Sequence, residues 1–194
     1  MKYTQHRFLS SCLMAGMLAL ASAPALAGGA LIMKTGKVQL WDESQSLDGQ
    51  TRTFDSDSGR TFALAWEHRN RRGMGMGIEY ITYRHDYTPS STTFGQAKTQ
   101  ILLFSARKYF NASEIVHPFF GVGMGLGHTS VTGGADIDPD INFEVQANTG
   151  VELRFDNIGF YVELKGLYND SDGPSGNRYD PSGTAVFGGM SFIF

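Results

Sequence analysis

Apolar and polar residues alternate with a period of two along most of the chain after residue 28, a pattern that predicts β-strands. In the segment 143–155 every second residue is apolar or threonine, and the residues between are charged, amides or glycine. The segments 158–169 and 59–69 repeat this alternation, and no long helical periodicity interrupts it. Such strands indicate a sheet whose two sides meet different surroundings.

We predict eight strands whose connections alternate between short and long. The strands cover 30–41, 59–69, 73–86, 96–110, 118–130, 143–155, 158–169 and 182–194. The short connections are 70–72, 111–117 and 156–157, and the longer ones, rich in Gly, Pro, Ser and Asp, are 42–58, 87–95, 131–142 and 170–181. Each strand reaches the ~9–11 residues that a tilted strand needs to cross a bilayer. The fold class is therefore all-β, an eight-stranded antiparallel up-and-down transmembrane barrel.

Alternation alone also fits a soluble sandwich or barrel, but two properties of the faces favour the membrane. The apolar faces end in aromatic residues, as expected at a bilayer interface. These residues are Trp66, Phe143, Phe155, Tyr168 and Phe194. The polar faces carry charges of both signs with glycine and alanine between them, which suits a crowded lumen. A helical span is excluded because no apolar run of 18 residues follows the amino-terminal segment.

The first 27 residues have the layout of a secretory signal peptide. Lys2 and Arg7 precede a mostly apolar stretch at 8–20, and 25–27 reads Ala-Leu-Ala, a small-x-small cleavage site. We predict cleavage after this site and a barrel domain over 28–194. Cleavage would remove Cys12, the only cysteine, and with it any disulfide or thiol chemistry.

The last eight residues alternate as a strand and end on an aromatic. Gly189, Phe192 and Phe194 resemble the carboxyl-terminal assembly signal of outer-membrane barrels, although Phe187 stands where that signal usually opens with a polar residue. The resemblance implies recognition by the barrel-insertion machinery. An even number of strands then places both termini in the periplasm.

The whole segment 28–194 resembles the small eight-stranded outer-membrane barrels of the OmpA, OmpX and OmpW type. The resemblance rests on the Pro-Phe-Phe-Gly-Val-Gly-Met-Gly run at 118–125, on Asn-Thr-Gly-Val at 148–151 and on the terminal phenylalanine. It implies an integral, porin-like, cell-surface protein of a Gram-negative envelope, in contact with membrane lipids and lipopolysaccharide, monomeric and without a cofactor. A nucleic-acid partner is excluded by that compartment and by the net charge of −3.

Charged residues on the polar faces form a candidate polar network in the lumen. Its members are Glu67, Arg69, Glu79, Glu144, Asn148, Glu152, Arg154, Tyr161, Glu163 and Lys165. A two-residue turn at 156–157 would place Asn148 opposite Lys165 and Glu152 opposite Tyr161. Charges removed from bulk water must pair or stay hydrated, so the network is either a static plug or a narrow polar pathway whose salt bridges exchange partners.

Glycines line one face of two strands that flank the segment 96–110. They are Gly73, Gly75 and Gly77 in one strand and Gly121, Gly123, Gly125 and Gly127 in the other. They leave room for a small apolar or amphipathic ligand, as the OmpW resemblance would suggest, or they admit bulky neighbours and let a small barrel curve. The inward face of 96–110 stays open, because Gln100 and Lys108 oppose Ser105 and Arg107.

Two further motifs contain residue types that could support catalysis or metal binding. The barrel deacylase PagL uses a His-x-Ser pair; the stretch that would align with it, 167–170, lacks both residues, whereas His128 and Ser130 supply such a pair elsewhere. The loop acids Asp136, Asp138 and Asp140 offer oxygen ligands but lack the turn glycine and final Glu of a calcium loop, so we predict no metal site.

The sequence thus predicts a non-enzymatic outer-membrane barrel with a surface-interaction or envelope-structural role carried by its extracellular loops. One alternative is a narrow channel or binding barrel for small amphipathic or hydrophobic solutes. A second is a lipid A-modifying enzyme.

Overall fold

The computed structural model describes residues 28–41, 44–47, 50–54, 59–88, 95–111, 113–132, 141–170 and 180–194. Ten strands occur in these ranges. They are β1 (Gly29–Leu40), β2 (Ser44–Leu47), β3 (Gln50–Phe54), β4 (Arg60–Arg69), β5 (Met74–Thr88), β6 (Gly95–Tyr109), β7 (Val116–Thr132), β8 (Ile141–Phe155), β9 (Ile158–Asp170) and β10 (Gly183–Ile193). In the described part of the chain, no helix is long and apolar enough to cross a membrane.

Eight of these strands close into an antiparallel barrel in which each barrel strand pairs with the next along the chain. The order runs β1, β4, β5, β6, β7, β8, β9 and β10, and β10 pairs back onto β1 from Ala30↔Ile193 to Leu40↔Gly183. The predicted eight-stranded up-and-down barrel is confirmed. The predicted register at the 156–157 turn is also confirmed, with Phe155 facing Ile158 and Asn148 facing Lys165.

The predicted loop at 42–58 is wrong in part, because it contains the β2–β3 hairpin. β3 continues the sheet by pairing Thr53 with Thr88 and Phe54 with Tyr87. The reason is that β4 ends its pairing with β5 at Arg84, so the backbone of β5 beyond that point has an open edge. An extra strand there satisfies hydrogen-bonding groups that would otherwise remain unpaired.

The two ends of the barrel differ. One end, here called the short-turn end, carries the turns at 70–73, 110–115 and 156–157 together with Gly28 and Phe194. The amide of Phe194 donates to the carbonyl of Gly29, and the amide of Gly28 donates to the carbonyl of Phe194. The opposite end is here called the long-loop end. Four connections leave from it: β1 to β4, which contains the β2–β3 hairpin, β5 to β6, β7 to β8 and β9 to β10.

Turn residues at the short-turn end explain how the strands reverse so tightly. Gly73 takes a φ of 73° and Asp156 a φ of 49°, both in the left-handed region. Gly73 therefore belongs to the β4–β5 turn rather than to the glycine face predicted for the following strand. The side-chain oxygen of Asn70 accepts hydrogen bonds from the amides of Arg72 (2.9 Å) and Met74 (3.0 Å), which fixes the same turn.

Strand residues alternate between buried positions that face the lumen and exposed positions that face outward. The outward positions are strongly apolar: Val122, Met124 and Val162 expose 57%, 59% and 66% of their surface. The inward positions include most of the buried charged residues of the chain's described part. The barrel is therefore apolar outside and buries most of its charged residues inside, the reverse of a soluble protein.

Candidate functional site

The lumen is layered along the barrel axis. From the short-turn end, the inward residues of β9 run Tyr161, Glu163, Lys165, Leu167 and Asn169, all of them buried. The order on this strand is aromatic, ionic, apolar and then polar. On β5 the inward residues Glu79, Ile81 and His85 follow the same order from ionic to apolar to polar. The candidate site therefore has an ionic centre, with an aromatic layer below it and an apolar layer above it.

The central ionic cluster is built around two carboxylates, Glu79 and Glu163, which are fully buried. The ammonium of Lys34 lies 2.6 Å from an oxygen of Glu79 and 2.7 Å from one of Glu163. Lys165 contacts the same two carboxylates at 2.8 and 3.2 Å. Arg107 bridges Glu79 and Glu67, at 2.9 Å each. Each charge thus has opposite charges on more than one side, which offsets the loss of water.

A second cluster surrounds Arg69 nearer the short-turn end. Its guanidinium contacts Glu67 at 2.7 Å and Glu152 at 2.9 Å, and it donates to the hydroxyls of Tyr109 and Tyr161. The guanidinium also lies 4.4 Å from the Tyr109 ring centroid, within cation–π range. Two further groups contact Glu152: Arg154 at 2.6 Å and the Ser191 hydroxyl at 2.8 Å. Since Glu67 contacts both Arg69 and Arg107, the two clusters form one network.

An apolar layer covers the ionic centre on the side of the long-loop end. Its buried members are Val38, Ala63, Ile81, Tyr83, Ile101, Leu103, Leu167, Ala185 and Phe187. They come from six of the eight barrel strands, so the layer reaches across the lumen. The Phe187 ring marks the boundary, since the ammonium groups of Lys34 and Lys165 lie 5.4 and 5.6 Å from its centroid.

Two members of the predicted network lie in the lumen but outside these clusters. Glu144 is buried toward the long-loop end, where it accepts a hydrogen bond from Asn169 instead of pairing with a described cation. Asn148 is buried opposite Gly121, and neither polar atom of its amide has a hydrogen-bond partner among the described residues. The other eight predicted residues are brought together by the contacts above.

Sequence reasoning missed Lys34 and Arg107, which supply many of the central contacts. For Arg107 the signal lay in its neighbours across the sheet, Gly75 and Gly121, which leave space on both sides of an inward basic side chain. Lys108 instead lies between Met74 and Phe120 on the outer face. The open question of the 96–110 segment is thus decided, because Ser105 and Arg107 face inward.

Neighbouring side chains occupy the space that the interior glycines leave. A Cβ added at Gly121 would lie 2.5 Å from the Asn148 amide oxygen and 2.8 Å from Cγ of Arg107. One at Gly123 would lie 2.6 Å from the amide nitrogen of Gln146. Glu67 and Glu144 fill the corresponding space at Gly75 and Gly127. These four glycines therefore admit bulky polar neighbours, whereas a Cβ added at Gly77 or Gly125 would meet the backbone of the adjacent strand.

No protein-family model and no curated protein matches the chain. Solved structures do. Neisserial surface protein A matches with a TM-score of 0.61 at 15% identity, covering 87% of this chain and 98% of that one. The outer membrane protein OprG from Pseudomonas aeruginosa matches with a TM-score of 0.58 at 16% identity, covering 87% and 96%. The attachment invasion locus protein Ail of Yersinia pestis matches at 0.50 and 14%, covering 86% and 98%.

The chain has the fold of the small eight-stranded outer-membrane barrels. Within this outer-membrane barrel fold, the three residues of the predicted insertion signal occupy different sides. Phe192 and Phe194 are exposed on the outer face, whereas Gly189 pairs with Lys34, and a Cβ added there would meet the Met33 carbonyl oxygen and Cγ of Lys34.

The remaining candidates are placed as follows. Thr129 is buried and faces the lumen, so His128 and Ser130 point outward, as their parity predicted. The acids Asp136, Asp138 and Asp140, like residues 1–27, lie outside the described residues. Within the described ranges, no group of three or more His, Cys, Asp or Glu residues is arranged to hold a metal ion.

Proposed function

We propose that the protein is an integral, non-enzymatic outer-membrane protein whose lumen is a structural plug and whose role is exerted at the cell surface or in the envelope. The observation that carries the proposal is the inversion of the barrel. Charged residues are buried in the lumen, while nearly all of the outer face of β7 and β8 from Phe120 to Leu126 and from Phe143 to Leu153 is apolar and exposed. Exposed apolar surface on this scale indicates contact with lipid.

The alternation of connections supports an orientation with the short-turn end in the periplasm. Outer-membrane barrels have short periplasmic turns and longer extracellular loops. The three tight turns lie beside Gly28 and Phe194, so both ends of the barrel domain belong on the periplasmic side. The long-loop end then faces outward and is available to surface partners and to lipopolysaccharide.

The layered lumen favours the plug over a solute pathway. A conducting path needs a continuous hydrated route, whereas the apolar layer and the ionic cluster both contain fully buried side chains from opposite walls. A ligand cavity between the interior glycines is also disfavoured, because neighbouring side chains or strand backbone occupy that space. Stability and presentation of the loops are the functions that such a filled barrel serves.

Membrane integration can be tested directly. We expect the full chain, expressed in a Gram-negative host, to remain in the outer-membrane fraction after carbonate and urea washes. It should migrate faster in unheated than in heated detergent gels, since a closed barrel resists detergent. Recovery in the soluble periplasmic fraction would contradict the proposal.

Conductance measurements distinguish a plugged lumen from a polar pathway. We expect refolded protein in planar bilayers to show no single-channel openings, because the apolar layer excludes ions. The Lys165→Ala variant, which lacks a cation below that layer, should also show no single-channel openings. Openings in the native protein that change in conductance or frequency in the Lys165→Ala variant would favour the polar pathway instead.

A further inference from the structure

A cavity of about 190 Å³ opens at the short-turn end, below the Arg69 cluster. Its walls include Arg69, Arg71, Tyr109, Asn111, His117 and Arg154, and no carboxylate is among the described residues that line it. Since one water takes ~30 Å³ of liquid, the space exceeds what a single water fills. Arg71 and Asn111 are exposed, so the cavity is accessible from outside.

Among the lumen residues joined by salt bridges, cations outnumber carboxylates, and the further buried carboxylate Glu144 lies toward the opposite end of the barrel. The salt bridges connect five cationic side chains, Lys34, Arg69, Arg107, Arg154 and Lys165, with four carboxylates, Glu67, Glu79, Glu152 and Glu163. The shortage lies at the cavity, because Arg69 and Arg154 share Glu152, and Arg69 shares its other carboxylate, Glu67, with Arg107. Arg71 on the rim adds a further positive charge.

One cationic group on the cavity wall, the guanidinium of Arg154, has hydrogen-bond donors to spare. Nε of Arg154 is buried and has no hydrogen-bond partner among the described residues, and only one of its other nitrogens contacts Glu152. A guanidinium presents five donors in a fixed fork that matches an oxyanion. A cationic wall on which Arg154 keeps unused donors, and which no described acid lines, is suited to an anion with several oxygens.

Apolar side chains adjoin the cavity on the outer face. Phe110 lies between the lining residues Tyr109 and Asn111 in the chain, and its ring stacks on Phe120 with centroids 5.8 Å apart. Both rings are exposed, as is Ile115, two residues before His117. An anion whose oxygens enter the cavity could therefore carry an acyl chain that continues along this surface.

We propose that this cavity is a binding site for a phosphate group, supplied either by free phosphate or by the headgroup of an anionic phospholipid. Arg154 and Arg71 bind the phosphate oxygens, and Arg69 stabilises the bound charge from the inner wall. The bound anion balances the extra positive charge of the salt-bridged groups beside the cavity. This site is separate from the loops and does not depend on whether the barrel conducts solutes.

The test uses the refolded full barrel in nonionic detergent, titrated by calorimetry with inorganic phosphate at constant ionic strength. A second arm titrates phosphatidylglycerol in mixed micelles, with uncharged diacylglycerol as the lipid control. The variant R71Q/R154Q removes two charges from the cavity, and R60Q/R84Q removes two exposed charges at the opposite end, where Arg60 and Arg84 pair across β4 and β5.

We expect saturable binding. R71Q/R154Q should weaken it at least about tenfold, because each lost charge-assisted hydrogen bond is worth ~1.5–3 kcal/mol. R60Q/R84Q should leave the affinity nearly unchanged. Binding of phosphatidylglycerol alone identifies a headgroup site, and binding of inorganic phosphate alone identifies a free-anion site. No saturable binding of either probe, or an equal loss in both variants, overturns the proposal. If R71Q/R154Q fails to fold, the single variant R71Q replaces it. In addition, the NMR resonance of the Arg154 Nε–H group in the native protein should shift when phosphate is added and not when chloride is added.

Discussion

Glu79→Gln is expected to lower the free energy of unfolding by about 3–5 kcal/mol, the usual effect of removing one partner from a buried ion pair. Glu79 accepts contacts from Lys34, Lys165 and Arg107, and all four side chains are buried. Glutamine keeps the shape but removes the charge, so three buried cations would depend on Glu163 and Glu67. Urea unfolding in phospholipid vesicles, followed by the fluorescence of the two tryptophans, measures the change.

Two further variants make this prediction specific. Glu114→Gln makes the same chemical change at an exposed residue of the short-turn end, and its unfolding should match that of the native protein. The double variant E79Q/K165M removes one buried charge of each sign, so it should recover part of the stability lost in Glu79→Gln. If Glu79→Gln unfolds like Glu114→Gln, the ionic cluster does not stabilise the barrel.

Gly125→Ala is expected to destabilise the barrel by about 1–3 kcal/mol and to lower the yield of folded protein, because the added methyl overpacks the sheet. An ideal Cβ at Gly125 would overlap the backbone carbonyl oxygen of Leu102 and lie 2.8 Å from the Cα of Leu103. β6 is held between β5 and β7 and cannot move aside without breaking hydrogen bonds. The folded fraction in unheated gels and the urea midpoint both report the effect.

Gly188→Ala is the matched control for this change. Gly188 also lies within a barrel strand, but an added Cβ would meet only the carbonyl oxygen of Tyr161, at 4.0 Å. This substitution should therefore leave the urea midpoint and the refolding yield close to those of the native protein. Equal stability of the two alanine variants would show that the close approach at Gly125 does not constrain the barrel.

Much of the barrel could be predicted because side-chain direction alternates along every strand. In β8 the apolar set from Phe143 to Phe155 and the polar set from Glu144 to Arg154 face opposite sides, as their spacing requires. The β2–β3 hairpin was not predicted. Its formation depends on the open edge of β5 beyond Arg84, which is a property of neighbouring strands and not of the segment itself.

Alternation predicted most of the lumen residues, but which residues lie opposite one another was predicted only where a local turn fixed the register. The two-residue turn at 156–157 placed Glu152 opposite Tyr161 and Asn148 opposite Lys165. β6 offered no such guide, because polar residues occur on both of its faces. Arg107 faces inward because its neighbours in β5 and β7 are glycines, and that choice appears only when three strands are in register.

By itself, the sequence determined the number of barrel strands, their direction and the faces of those with clear alternation, because these follow from a period of two and from the lengths of the connections. Only the tertiary structure decided which charges meet. Lys34 reaches Glu163 across 129 residues of chain, and closing β10 onto β1 is what brings that pair and the apolar layer above it together. Contacts across a lumen depend on curvature and register around the whole barrel, which no single strand encodes.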